Sequence, residues 1–423
     1  MTGTFSARPV VGLVTAESLA YMGTRLAMIA LPWFVLETTG SPAYMGLVTA
    51  VEMGCYGLAR LLGGPIMDRI GQRAVGVRAD TLAATALLCI PLMHSAELLS
   101  FPVLLMLVAL VGLSTGPAEA AKVSLTPFVA EASGTHVERV AGLTGTVERL
   151  SMTVGPVAAG AIVAALGAIP AFYLNAALML SAAVVLALFV PRSRAGVDDA
   201  EDPEAGQGYL SRLHAGWKAV WGDVPLRVLV AMITVTNLIE ITVLSVILPI
   251  WVHTHGLGPD TIGLVSGSMG ATSLLGSLLA AWIGHRLPRT TTLVTAFAVS
   301  GPPRVLVLAL DVPLWMVLLV WSVGGFLSGL INPLLSAIIF ERLPRTMVGR
   351  GMAMTGALTR LGVPLGAPVL GALVGVVGTV PVLVGSAAVY LASVLSPLHK
   401  RVRHRLRRPE EPSTTSADDQ EKL

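Results

Sequence analysis

Charge is scarce in this chain. Asp, Glu, Lys and Arg make up 13% of its 423 residues, about half the share typical of a soluble domain. With a mean hydropathy of +0.77, it has too little polar surface to coat a water-soluble globule. The same balance excludes disorder, which needs low hydrophobicity and high net charge; here the net charge is only +3. Cysteine is nearly missing. Cys55 and Cys89 are the only two, and both lie in apolar runs, so neither a disulfide framework nor a cysteine-based metal site is expected. No Gly-x-x-x-x-Gly-Lys-Ser/Thr occurs, which leaves direct drive by ATP without support. No nucleophile and base stand in a recognisable pattern, so enzyme activity, catalytic residues, metal ligands and cofactors are not expected. Glycine is abundant at 44 residues, but without the three-residue period of collagen.

What the chain has instead is long apolar runs. A helix needs roughly 20 apolar residues, at about 1.5 Å rise each, to cross a bilayer. Runs and breakers place such spans at 10–36, 43–67, 77–95, 101–122, 141–166 and 169–191, and again at 226–252, 260–284, 290–311, 313–339, 351–376 and 379–398. The first run is too long for the apolar core of a signal peptide and is read as a retained helix. Of 28 Lys and Arg residues, five fall in the interior of spans, away from their ends: Arg25, Arg60, Arg149, Arg304 and Arg360. All others fall on one side: Arg8, the 68–78 loop, Lys122, Arg139, the central linker, the loops with Arg286, Arg289, Arg342, Arg345 and Arg350, and the tail. The opposite loops, near 37–42, 96–100, 167–169, 253–259, 312 and 377–378, contain neither residue. Positive loops stay cytoplasmic, so a multi-pass protein of the cell membrane with both termini inside is expected.

The second half repeats the first. Thr144, Gly145, Arg149, Leu150, Gly155, Gly160, Gly167 and Pro170 match Thr355, Gly356, Arg360, Leu361, Gly366, Gly371, Gly378 and Pro381 at one fixed offset. The expected fold is therefore an all-α membrane protein, with twelve transmembrane helices in two pseudo-symmetric six-helix bundles. Residues 1–191 form the first bundle and 225–398 the second, a recurrent transporter plan with the site at the interface. Between them, 192–224 is a cytoplasmic linker. It is acidic at Asp198, Asp199, Glu201, Asp202 and Glu204, and then amphipathic, with Leu210, Leu213, Trp217, Val220 and Trp221 at helical spacing. Such a helix lies on the membrane surface. The tail, 399–423, opens with Lys400, Arg401, Arg403, Arg405, Arg407 and Arg408, an anchor on anionic lipid, and is then expected to be disordered.

Between the second and third spans the chain reads Gly64-Pro65-Ile66-Met67-Asp68-Arg69-Ile70-Gly71-Gln72-Arg73. This resembles the signature loop of the major facilitator superfamily, Gly-x-x-x-Asp-Arg-x-Gly-x-Arg/Lys. Gly64 permits close helix approach and Gly71 a tight turn; a carboxylate such as Asp68 can accept hydrogen bonds from a helix N-terminus or from Arg73. The resemblance implies a conformational lock on the cytoplasmic side for Asp68, Arg69 and Arg73. In the fifth span, Gly155-Pro156-Val157-Ala158-Ala159-Gly160 resembles the Gly-Pro stretch of antiporter branches, with Ala159 where a glycine is usual. Ala30-Leu31-Pro32-Trp33 followed by Glu37-Thr38-Thr39-Gly40-Ser41 resembles the drug, macrolide and siderophore exporters. Two features depart from that pattern. Val111 to Gly116 in the fourth span lacks the arginine many exporters carry there, and the second copy of the loop has His285, Arg286 and Pro288 in place of Asp-Arg and glycine.

Ionisable residues inside spans are costly and face a bundle interior or an aqueous cavity. Candidates for binding substrate or protons are Glu17, Arg25, Trp33, Glu52, Arg60, Glu119, Glu148, Arg149, Glu240 and Arg360. Counting residues from the span ends sets Arg25 level with Glu52, and Glu17 level with Arg60, either as a cavity switch or as static ion pairs. Glu240 has no basic residue within a helical turn and reads as an unpaired buried carboxylate; Glu148 and Arg149 read as a gating pair. The expected function is secondary-active transport by alternating access, most specifically proton-coupled efflux of a small amphipathic compound. An importer or an uncoupled facilitator is the alternative, and a non-transporting scaffold a third. The expected partners are the small-molecule substrate, protons and the lipid bilayer, with no nucleic acid and a monomeric state.

Overall fold

Prolines open the helices of this chain and glycines close them. Pro9, Pro42, Pro102 and Pro225 sit in first turns, where a missing N–H costs nothing. Gly40 and Gly167 end helices at φ +63° and +85°, a region that disfavours any side chain. The computed structural model describes residues 6–192, 214, 217–218, 220–283, 286, 288–310, 312–343, 348–360 and 362–396. The acidic part of the linker, much of its amphipathic segment, the basic tail, His285 and the Asp68 side chain lie outside the described residues.

Among the described residues the regular structure is helical throughout. Twelve main helices follow in order: α1 (Arg8–Thr39), α2 (Pro42–Leu62), α3 (Gln72–Ser95), α4 (Phe101–Ser133), α5 (Val137–Leu166), α6 (Ala168–Phe189), α7 (Val224–Thr254), α8 (Pro259–Ile283), α9 (Arg289–Val307), α10 (Leu314–Arg342), α11 (Met354–Val377) and α12 (Thr379–Leu395). Ten are long and apolar enough to cross a membrane; the other two are α9, with 19 residues, and α12, with 17. The turns α5–α6 and α11–α12 match closely: Gly167 has φ 85° and ψ 170°, and Gly378 has φ 86° and ψ 168°.

Two boundaries and one helix interior differ from the sequence expectation. The second span stops at Leu62, and the motif residues Gly64–Ile70 form a short helix of their own before Gly71, at φ +83°, turns the chain. The fourth span runs on to Ser133, bending where Leu125 precedes Thr126-Pro127, so Lys122 lies inside the helix and not in a loop. In α7 the residues Val243–Ile247 form a π-turn. Pro249 follows it and supplies no N–H to the preceding turn, which is a recognised cause of such irregularity.

Helix α1 packs against α5 and α6, α3 against α4 and α6, α2 against α4 and α11, α5 against α8, α8 against α10, α9 against α10 and α12, and α7 against α11 and α12. Where α2 meets α11 and α5 meets α8, the contacts between the two sequence halves are made by glycine. A β-carbon at Gly371 would lie 2.6 Å from the Pro42 carbonyl, and one at Gly46 would collide with the Ala367 carbonyl. On the other flank, a β-carbon at Gly160 would lie 2.8 Å from the Pro259 carbonyl and 2.9 Å from the Gly263 Cα. All four glycines lie toward the end whose loops lack Lys and Arg. Toward the basic end, at Gly57 of α2 and at Gly142 and Gly145 of α5, a β-carbon would meet nothing within 4 Å.

Candidate functional site

The end with the basic loops holds the first polar cluster. Tyr56 and Arg60 stand one turn apart on α2, and Glu119 faces them from α4. Arg60 Nη1 lies 2.9 Å from Glu119 Oε2. Tyr56 donates its hydroxyl proton to the same carboxylate and accepts from Arg60, whose guanidinium lies 5.8 Å from the Tyr56 ring centroid. The helices come this close because Gly112 and Gly116 of α4 press on the Glu52 and Tyr56 carbonyls. The Arg60 and Glu119 side chains keep 39% and 30% exposure, so the ion pair is wet and screened.

Deeper on α1 are Glu17, Tyr21 and Arg25. Glu17 is 3% exposed, and its Oε2 has no hydrogen-bond partner among the described residues. Arg25 lays its stem across Gly155 of α5, where a β-carbon would come within 2.6 Å of Arg25 Cγ. Glu119, Glu148 and Arg360 lie near enough to act on Arg25 electrostatically. Arg360 comes from α11, so this region is shared by both sequence halves.

A second cluster fills the other half. Arg304 is 4% exposed inside α9, after Pro302-Pro303, and all three of its nitrogens are used. Nε donates to the Ser300 carbonyl at 2.6 Å, Nη1 approaches Met269 Sδ at 3.2 Å, and Nη2 donates to Glu240 Oε1 at 2.6 Å. The fully buried Tyr390 donates to the same Glu240 oxygen at 2.7 Å. Gly301 leaves room for the Tyr390 ring and Gly324 for the Arg304 stem. Trp321 lies 5.9 Å from the guanidinium. Beside the group is a cavity of about 190 Å³, lined by Glu240, Leu244, Met269, Gly301, Arg304 and Trp321 among others. Glu240 is therefore paired, contrary to the sequence reading. Its cation comes from another helix, which spacing along α7 does not reveal.

The expected pairings are also rearranged. Arg60 pairs with Glu119 and not with Glu17, and Arg25 forms no ion pair with Glu52 among the described residues. Counting from span ends gives height but not azimuth, and the facing partner of α2 is α4. Glu148 and Arg149 make no ion pair with each other among the described residues; they are helix neighbours whose side chains diverge, and Arg149 is exposed. Trp33 is buried at the end away from the basic loops, donating to Glu37 at 2.7 Å and meeting the His253 ring edge-on at 5.9 Å. In the signature loop Arg69 is exposed, and Arg73 donates to the Ala187 carbonyl of α6. Gly155, Pro156 and Gly160 carry the contact of α5 with α1 and α8.

The sequence reading passed over one pair altogether. Lys122 of α4 lies 2.8 and 2.7 Å from the two oxygens of Asp80 on α3, with side-chain exposures of 4% and 2%. A lysine assigned to a loop gave no signal. Tyr56 and Tyr390 were missed because a hydroxyl inside an apolar run looks like packing.

The Major Facilitator Superfamily model matches residues 13–239 and 230–421 of the chain. The multidrug efflux pump Tap of Mycobacterium tuberculosis is 27% identical over 375 residues, 88% of this chain and 88% of that protein. Tap of Mycolicibacterium fortuitum is 25% identical over 373 residues, 88% of this chain and 90% of that protein. Among solved structures, the nucleoside transporter NupG superposes with a TM-score of 0.74 at 13% identity, covering 92% of this chain and 98% of that one. A D-xylose–proton symporter superposes with a TM-score of 0.69 at 16% identity, covering 93% and 98%. These two likenesses show the fold.

Proposed function

The chain belongs to the Major Facilitator Superfamily, and on that footing we propose that it exports small amphipathic compounds across the cell membrane in exchange for inward-moving protons, by alternating access. One observation carries the reading. Glycine-mediated contacts close α2 on α11 and α5 on α8 at the end without basic loops, while Arg60, Glu119, Arg149 and Arg360 remain accessible at the other. With positive loops inside, this is a state open to the cytoplasm, the side from which an exporter loads. The bundles 1–191 and 225–398 would then rock about the glycine seams. Glu240 supplies a place for the proton: neutralising it would remove the charge that holds Arg304 and weaken the hydrogen bond from Tyr390. One proton entering at 100 mV supplies about 2.3 kcal/mol. The full-length similarity to multidrug efflux pumps supports the outward direction.

A second reading, an uncoupled facilitator or importer, draws on α4. Gly112 and Gly116 are pressed against α2, which leaves no room at those positions for the arginine that many exporters carry in this span. Accumulation of a dye panel in a strain lacking its own exporters decides between the readings. Lower accumulation that a protonophore abolishes is expected. Lower accumulation indifferent to the protonophore supports the facilitator, higher accumulation supports import, and no change for any compound refutes both.

A further inference from the structure

Five arginines of this protein are tied to named partners. Arg8 donates to the Leu188 carbonyl at 3.0 Å, Arg60 pairs with Glu119, Arg73 donates to the Ala187 carbonyl, Arg304 spends every nitrogen, and Arg342 pairs with Asp223 at 3.1 Å. Arg25 differs. Its Nε is buried without a partner, as is that of Arg73, but where Arg73 is held by its Nη2 the Arg25 guanidinium makes no hydrogen bond or ion pair at all among the described residues. Nor is it loose on the surface: the stem is seated on Gly155, with no room for a methyl group between. A positioned guanidinium inside a membrane bundle is costly unless something satisfies it. Among the described residues, the carboxylates that act on Arg25 electrostatically are Glu119, already held by Arg60 and Tyr56, and Glu148, which makes no bond to it. Arg360 adds a second cation from across the cleft.

We propose that Arg25 is the anchor for an anionic group of the transported compound, so that the preferred substrates are amphipathic molecules bearing a carboxylate or similar oxyanion. The planar fork of arginine suits a two-oxygen anion. Arg360 reaches the same anion from the opposite half, so that binding offsets the repulsion between the two cations. Gly155 then acquires a specific task beyond helix packing, which is to hold the Arg25 stem in place. This assignment rests on the transport reading above and narrows its substrate class.

Rhodamine B, whose carboxylate is ionised, and its ethyl ester share one cationic xanthylium body, differ only at that carboxylate, and test the proposal. Binding of each to the purified full-length protein is read by dye anisotropy. The wild type should bind the carboxylate about tenfold or more tighter than the ester, the scale of one charged hydrogen-bonded contact. In R25Q the preference should vanish through loss of carboxylate affinity, R25K should retain part of it, and G155A, which keeps the charge but displaces the stem, should weaken it. Equal affinity for the two dyes, preference for the ester, or binding of neither by the wild type overturns the proposal. The wild-type comparison needs no variant to fold. If cells export the ester as strongly as the acid, export stands and the anion anchor falls. If the purified protein prefers the acid but no protonophore-sensitive export is seen, the anchor stands and the export reading falls.

Discussion

Removing Lys122 should be among the most damaging single changes in the protein. Its ammonium touches both oxygens of Asp80, at 2.8 and 2.7 Å, where neither side chain is more than 4% exposed. K122M keeps the length of the side chain but strands a carboxylate between α3 and α4, and D80L strands an ammonium. Breaking one side of such a pair costs about 3–5 kcal/mol, whereas replacing both charges by apolar groups of similar size is often close to neutral. The double variant D80L/K122M should therefore unfold within about 1 kcal/mol of the wild type, giving a coupling of several kcal/mol across the cycle. Titrating purified protein in mixed micelles with SDS and following helix content gives the four free energies. Single losses below about 1 kcal/mol, or a double loss equal to the sum of the singles, would refute the claim that these charges hold each other in place.

Other outcomes follow from the same geometry. G46L and G263L place a side chain where the Ala367 and Pro156 carbonyls now sit; both should insert normally and lose at least about tenfold in transport, and full activity would show that the seams need not close. Y390F removes one of two hydrogen bonds to Glu240 Oε1 and should cost about 1 kcal/mol in the SDS titration, whereas R304L should cost more by leaving Glu240 without its cation. After Cys55 and Cys89 are replaced, S100C should react with an impermeant maleimide in intact cells, and R78C only after permeabilisation. The reverse pattern would invert the orientation.

The helices were legible because their signal is local and repeated. Apolar run length, prolines in first turns and glycines after last turns placed all twelve within a few residues, except where a proline deflected the chain, as at Pro127, or where Gly63 broke it before the motif. Gly263, Gly267 and Gly270 form a small-residue face of α8 that meets α5. The charged site was legible only as an inventory. Glu240, Arg304, Arg60 and Glu119 all stood out as expensive residues inside spans, but which acid meets which base depends on helix rotation and on which helices are neighbours. The helices here are apolar on nearly every face, which erases the stripe that would report rotation in a soluble bundle. Tyr390 gave no warning, because a phenol is as much an apolar ring as a donor.

The π-turn at Val243–Ile247 sits directly after Glu240 and before Trp251 and His253. One surplus residue there behaves like a slipped thread on a screw. Were the turn to tighten to the ordinary pitch, everything beyond it would revolve by roughly one residue's arc, about 100°. His253 would then swing away from the Trp33 edge it now meets. Glu240 and the aromatic contact that joins α1 to α7 at the far mouth thus stand on opposite sides of that one surplus residue.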